Sequence, residues 1–380
     1  MFNLFNNNDD YSEETINILR LIRSENVGPR TFINLINLFG SASEALDNIA
    51  EFSLRGGRSK PIKVFSKTAA KQELELLHKH GAKIISYKDP LYSVLLKEIP
   101  DFPPILSYKG NISLLNSKKI VSLVGARNSS INSRSFATNL SSKLVELGYV
   151  TVSGLARGID TSVHIASGSQ TIAVIAGGID HIYPPENKKL FEQLSEEGLI
   201  IAELPIGTHV LSKHFPQRNR IIAGLSLATI VVEAGLNSGS LITSKFALDF
   251  NREVFAVPGF PLDPRCMGSN KLIKEGRAQL LESYEDLIDN VASYDQITKS
   301  FNEESGNINK FAFAVKEFKV TNLERQKILN LLSSTPVTIE ELHRDSNLPL
   351  EVLYMICLEL ELAGKIARHV GNKISLILEI

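Results

Sequence analysis

Cysteine is nearly absent: Cys266 and Cys357 are the two in 380 residues. They are too far apart in sequence for zinc spacing and too few for a disulfide framework. No other set of ligating residues has a recognised metal spacing, so neither a metal nor any other cofactor is expected. Net charge is nearly absent as well, at −1. No global basic field draws the chain to nucleic acid, and any such binding has to come from a local patch. No apolar run approaches the ~20 residues that span a bilayer. The opening MFNLFNNNDD has neither a basic n-region nor a long apolar h-region, so it is no secretory signal. The expectation is a cytoplasmic protein with no membrane contact. Neither GxGxxG nor GxxxxGK[ST] occurs, which argues against dinucleotide binding and a Walker A ATPase.

What is present is ordinary globular material, 43% hydrophobic and 22% charged, at a length suited to two or three domains. From Ile120 a regular alternation begins. Short apolar runs at Ile120–Val124, Tyr149–Ser153, Thr171–Ile175, Leu199–Glu203, Thr229–Glu233 and Glu253–Val257 are rich in Val and Ile. Such runs fit strands buried on both faces. Helical runs fall between them at Asn132–Leu147, Ile159–Ser167, Glu186–Glu197, Asn219–Leu225 and Ser240–Asp249, and Asn270–Val291 adds helix, short strand and helix. The pattern predicts an α/β fold with a doubly wound, mostly parallel, Rossmann-like sheet. Before it, Lys83–Tyr87 reads as a strand and Pro100–Tyr108 as an extended, proline-punctuated entry.

Two smaller modules flank this core. At the N-terminus, after a frayed Asn-rich tail, a helix starts near Ser12; Val27-Gly28-Pro29 then turns into a second helix that Gly40 closes. This resembles a helix-hairpin-helix or sterile-alpha-motif-like pattern, although a small helical packing domain is the favoured reading. Ser53–Lys63 reads as a connection and Lys67–His80 as a helix. At the C-terminus, Thr321–Ile380 reads as three helices and a hairpin around Gly371-Asn372, a winged helix. Its acids outnumber its bases and its third helix is apolar, which favours protein contact over duplex DNA. The predicted domains are 1–80 (helical), 81–295 (core), 296–320 (linker) and 321–380 (winged helix).

The chemistry gathers at expected carboxyl ends of strands, where open α/β sheets hold ligands. Tyr149–Ala166 runs from strand through Ser153, Gly154 and Arg157 into a helix, the shape of an anion-binding corner. Gly125 and Arg127 follow the first core strand. Leu204–Val232 contains no acid, and within it Lys213, Phe215, Gln217, Arg218, Asn219 and Arg220 combine cations, amides and a stacking ring. That combination suits single-stranded nucleic acid. An alternative pairs its arginines with Glu203 and Glu233. Gly239, Ser240 and Thr243 open a further helix, as an anion site or as caps. Ser153, Asp160 and His164 make no convincing triad, because Asp160 and His164 are i,i+4 on one helix and read as an ion pair. A nucleotide-processing enzyme of the phosphoribohydrolase type, with Glu233 as general base, is the alternative function.

Gly125-Ala126-Arg127, Ser153–Asp160, Ile182-Tyr183-Pro184, Phe215–Ser226, Val232-Glu233-Ala234, Ser238–Thr243 and Val257-Pro258-Gly259 together resemble the DNA-processing protein A (DprA/Smf) family, over about Pro100–Val291. The resemblance implies a non-catalytic single-stranded DNA binder that protects incoming DNA and loads RecA recombinase in natural transformation. It also implies homodimerisation through the core. Ala202 stands where the family usually has Ser, which alters the pocket rim, and Arg277 where it usually has Ala, which bears on an assembly surface.

Overall fold

A computed structural model describes residues 11–291, 320–369 and 373–377. Residues 1–10 of the expected N-terminal tail, all of the linker 296–320 but its last residue, and the Gly371-Asn372 turn lie outside the described residues. The chain divides into two units, one holding Met1–Gln72 and Ile308–Ile380, the other Glu73–Asn307.

In the first unit, α1 (Glu13–Arg23) starts at Ser12, whose side chain accepts from the Thr15 amide. α2 (Pro29–Phe39) has Pro29 at its first position, where a missing N–H costs nothing. α3 (Ala42–Arg55) is a third helix, where the connection was expected to begin at Ser53. Its apolar residues Ala42, Ala45, Leu46, Ile49 and Phe52 recur at helical spacing. α4 (Lys67–Lys79) spans the boundary between the units.

The second unit continues with β1 (Lys83–Ser86), α5 (Val94–Lys97), β2 (Ile105–Gly110), β3 (Ile120–Gly125), α6 (Ile131–Glu146), β4 (Val150–Ser153), α7 (Ile159–Ser167), β5 (Thr171–Ile175), α8 (Lys188–Glu196), β6 (Leu199–Ala202), α9 (His214–Leu225), β7 (Ala228–Glu233), α10 (Ser240–Asp249), β8 (Glu253–Ala256), α11 (Met267–Lys274), β9 (Gln279–Leu280) and α12 (284–291). Among the described residues these strands form one sheet in the order β1-β2-β6-β5-β4-β3-β7-β8-β9. β3 to β9 are parallel to their neighbours, while β1 and β2 add an antiparallel edge on β6. Pro100–Tyr108 thus ends in a strand proper. Its prolines, Pro103 and Pro104, precede the ladder, so no strand N–H is lost.

Alternate strand residues feed two different cores. Ile120, Val124, Val150, Val152 and Val231 belong to one cluster, and Val121, Leu123, Ala228, Ile230 and Val232 to the other. Period-two alternation between two apolar layers is what a sheet covered on both faces requires. The chain reverses its winding at β3, which lies between β4 and β7. A crevice opens at the carboxyl ends of the strands at such a switch point.

The first unit closes with α13 (Asn322–Leu331), β10 (Val337–Thr338), α14 (Ile339–Ser346), α15 (Leu350–Leu362), β11 (Ile366–His369) and β12 (Lys373–Leu376). The strands pair β10-β12-β11, the helix and wing arrangement of a winged helix. Thr321 with Glu324 and Thr338 with Glu341 form capping boxes that start α13 and α14.

Candidate nucleic-acid interface

Two loops and a helix meet at the switch point. Gly125-Ala126-Arg127 leaves β3, Ser153–Gly158 leaves β4, and α9 brings Phe215 and Arg218 beneath them. The loops touch closely. A Cβ on Gly125 would stand 2.5 Å from Ile159 Cγ1, and one on Gly158 would stand 2.6 Å from the Arg127 carbonyl. Glycine at both places lets the start of α7 approach the end of β3.

The β4–α7 turn is built differently from the expected anion corner. Its backbone donors point into the protein. Asp160 Oδ2 accepts from the Gly154 amide (3.1 Å) and the Ala156 amide (3.3 Å), and His164 Nε2 accepts from the Leu155 amide at 3.3 Å. The i,i+4 pair therefore does share a helix face, but as two acceptors for the turn rather than as an ion pair. Leu155 takes a left-handed backbone, φ 54°. Asn187 Nδ2 holds its carbonyl at 2.9 Å. Ser153 Oγ, fully buried, donates to the Leu123 carbonyl.

Burial raises the Asp160 carboxyl above its usual range, against the charge of Arg218, and lowers the His164 imidazole to about 3, which Arg218 reinforces. With Nε2 accepting, Nδ1 carries the proton and donates to Thr171 Oγ1 at 2.8 Å. Unfolding exposes an imidazole that takes up a proton near pH 6.5, whereas the folded one stays neutral down to about 3. The unfolded state binds more protons in that window, so this residue's contribution to stability is full above pH 6.5 and is lost as pH falls toward 3. His164→Gln is expected to flatten the acid side of the stability profile between those values, as read by denaturant unfolding across pH. An unchanged slope would refute the neutral imidazole.

Arg218 is 6% exposed and donates from Nη1 to the Val174 carbonyl at 2.9 Å. A Cβ on Gly154 would overlap its guanidinium, so only glycine leaves room for it. Burial lowers the guanidinium to about 10, still charged at neutral pH. Its Nε is buried with no hydrogen-bond partner among the described residues. Arg218 forms part of the lining of a small cavity with Gly154, Ala176, His181, Tyr183 and Phe215. Above it, the Phe215 ring has Arg127 over one side, 4.6 Å from guanidinium to centroid, and Tyr183 beside it at 5.7 Å. Tyr183 is 44% exposed. Exposed Arg157 pairs with Glu186 on the segment that carries Tyr183. Lys213 caps the start of α9 and is exposed, as is Gln217.

Other expected site residues lie elsewhere. Arg220 is buried, bound to Glu203 and 3.4 Å from Asp101, and does not reach the rim. Burial works against its charge, yet the two carboxylates outweigh it and raise its pKa. The reason is local: the helix expected from Asn219 begins already at His214, with Pro216 in its first turn. Covered on more than one side, that helix buries both Arg218 and Arg220. Asn219 Nδ2 donates to the Gly239 carbonyl at 3.2 Å. Ser240 and Thr243 are buried, with Ser240 Oγ 2.7 Å from Ser238 Oγ, which leaves them as helix-start packing. Glu233, 1% exposed, accepts from the Ser130 amide and, at 2.7 Å, from Ser133 Oγ, so it caps α6. Ala202 is the last residue of β6 and fully buried, and Arg277 is 3.6 Å from Glu275. Tyr183 and His181 are site residues that composition missed; the Ile182-Tyr183-Pro184 stretch was their signal.

Residues 83–292 match the family model described as DNA recombination-mediator protein A. The chain belongs to the DprA family. The flanking modules match too, residues 12–75 as a DprA-like N-terminal HHH domain and 320–372 as a DprA winged helix domain. Protein Smf of Synechocystis sp. is 42% identical over 216 residues, 55% of this chain and 54% of that protein, so the match spans about half of that relative's length. The X-ray structure of DNA processing protein A from Streptococcus pneumoniae superposes with a TM-score of 0.60 at 33% identity, covering 74% of this chain and 98% of that one. A Helicobacter pylori DNA processing protein A, described for its single-stranded DNA binding mode, gives 0.52 at 26% identity over 55% of this chain and 96% of that one. Among the described residues no helix is long and apolar enough to cross a membrane.

Proposed function

We propose that this chain binds single-stranded DNA at the carboxyl edge of its sheet, without catalysis. It protects incoming strands and loads RecA recombinase onto them in natural transformation, in the cytoplasm and as a homodimer through the core. The observation that carries the reading is the Phe215 ring between Arg127 and Tyr183, over a buried guanidinium with an open Nε. Aromatic rings stack bases of any sequence, and neighbouring cations follow the phosphates. Family membership and the single-stranded DNA named for the Helicobacter relative support it. A non-catalytic role fits Ser153, Asp160, His164 and Glu233, which all have structural partners. For the homodimer, Phe260 and Leu262 are 68% and 81% exposed, on the loop after β8.

A gel shift with matched oligonucleotides tests the proposal: at least tenfold preference for the single strand is expected, and equal binding of duplex would overturn it. Arg127→Ala and Arg157→Ala should each flatten the log–log salt slope by roughly 0.7, one phosphate contact. The Arg157–Glu186 pair is exposed on both sides and is cheaply exchanged for a phosphate.

A further inference from the structure

We propose that the third helix of the winged-helix module is a protein-docking helix, and that its occupant is the N-terminal helical module of the same chain. α15 packs on α3 and α2 within the first unit. It carries more apolar surface than its own module uses. Leu353, Ile356, Cys357 and Leu360 enter the module's core cluster, whereas Leu358 and Leu362 are 3% and 0% exposed and stand outside it. Leu358 and Leu362 are one helical turn apart, hence on one face.

The contact is shaped on both sides. Gly56 ends α3, and a Cβ there would overlap the Glu359 carbonyl and stand 2.7 Å from Ala363 Cβ. Only a residue without a side chain lets the two backbones come so close. Asn26, left-handed at φ 58° in the α1–α2 turn, donates from Nδ2 to the Leu362 carbonyl at 3.1 Å. The last carbonyls of a helix lack partners within it, so the hairpin turn of one module caps the third helix of the other. The charges agree with a protein partner. Glu359, 1% exposed, takes both Arg325 nitrogens at 2.7 and 3.1 Å, and Glu361 takes Arg368 at 2.8 Å. Two cations that would face phosphates are neutralised inside the module. A third helix in a winged helix reads the major groove with an exposed polar face. Here that helix offers leucines, its Glu359 and Glu361 being held by arginines of its own module.

Two measurements on the full chain test this. With Cys266→Ser removing the more accessible native thiol, Asn26→Cys and Gly364→Cys are combined in a variant whose melting temperature is checked against wild type, since Gly364 is left-handed at φ 73°; a Cβ there would stand 3.0 Å from Asn26 Nδ2 and 3.8 Å from Asn26 Cγ. Oxidised glutathione is expected to close a disulfide within one chain, seen as a linked peptide from a monomer band. Failure to link would overturn the proposal, and so would a disulfide that joins two chains, which assigns the seat to a second copy. Independently, Leu358→Asp should speed amide exchange at least tenfold both at 26–28 and at 358–365, with β3 to β8 unchanged. Faster exchange at 358–365 with 26–28 still protected would overturn it.

Discussion

Arg220→Leu is expected to destabilise the sheet unit by about 3 kcal/mol and to leave the single-stranded DNA affinity of the folded fraction unchanged. The side chain sits between Glu203 at the end of β6 and Asp101 before β2, and is almost wholly buried. Leucine fills only part of the volume and strands two carboxylates that were arranged around a cation. Removing one member of a buried pair costs more than the pair contributes, because the remaining charge has lost both water and partner. Glu203 retains some access to solvent, at 19% side-chain exposure, which keeps the cost at the lower end of that range. For a unit of this size the melting temperature should fall by about 6–12 °C. Arg220→Lys should recover part of the loss, since an ammonium keeps the charge without the fork that reaches two acids. Thermal unfolding and fluorescence anisotropy with a labelled oligonucleotide separate the two readouts. A melting temperature within 2 °C of wild type, or an affinity that drops tenfold in the folded variant, would return Arg220 to the binding rim.

Phe215→Ala is expected to do the reverse: affinity for a single strand falls by about 1–3 kcal/mol, roughly 5- to 150-fold, with little change in melting temperature. The ring is partly exposed at the mouth of the cavity, so truncation removes a stacking face and opens no deep void. It also leaves Arg127 without the surface over which its guanidinium lies. Phe215→Tyr should retain most of the affinity. Wild-type binding by the alanine variant would move the base-stacking site away from α9.

The sheet was legible because its strands are buried on both faces, and continuous Val and Ile runs have few other uses. β3 and β5 start at the residues the sequence indicates. The antiparallel edge was harder. Pro103 and Pro104 mask the approach to β2, although that strand begins cleanly at Ile105. The site was legible in its residue types and poorly so in their directions. Arg218 and Arg220 counted as rim cations because the helix was expected to start only at Asn219, whereas α9 starts at His214. α9 is covered on more than one side, so two residues that point in different directions are both buried, Arg218 against β5 at Val174 and Arg220 against Glu203 and Asp101. Asp160 and His164 were correctly placed on one face of α7, but their partners are main-chain amides, which leave no mark in composition. Tyr183 and His181 reach the cavity from the segment after β5, at a distance in sequence that no local pattern spans.

The amides of Gly154, Leu155 and Ala156 carry a last consequence. A lone nucleotide gains most of its hold on an α/β edge from main-chain donors wrapped around one phosphate, and here three such donors already serve internal acceptors. What remains for a visitor is a ring and a scatter of long cationic arms, each weak by itself. Such an edge favours length: successive units of a polymer add their small contributions, while mononucleotides at millimolar levels compete poorly for the same ground.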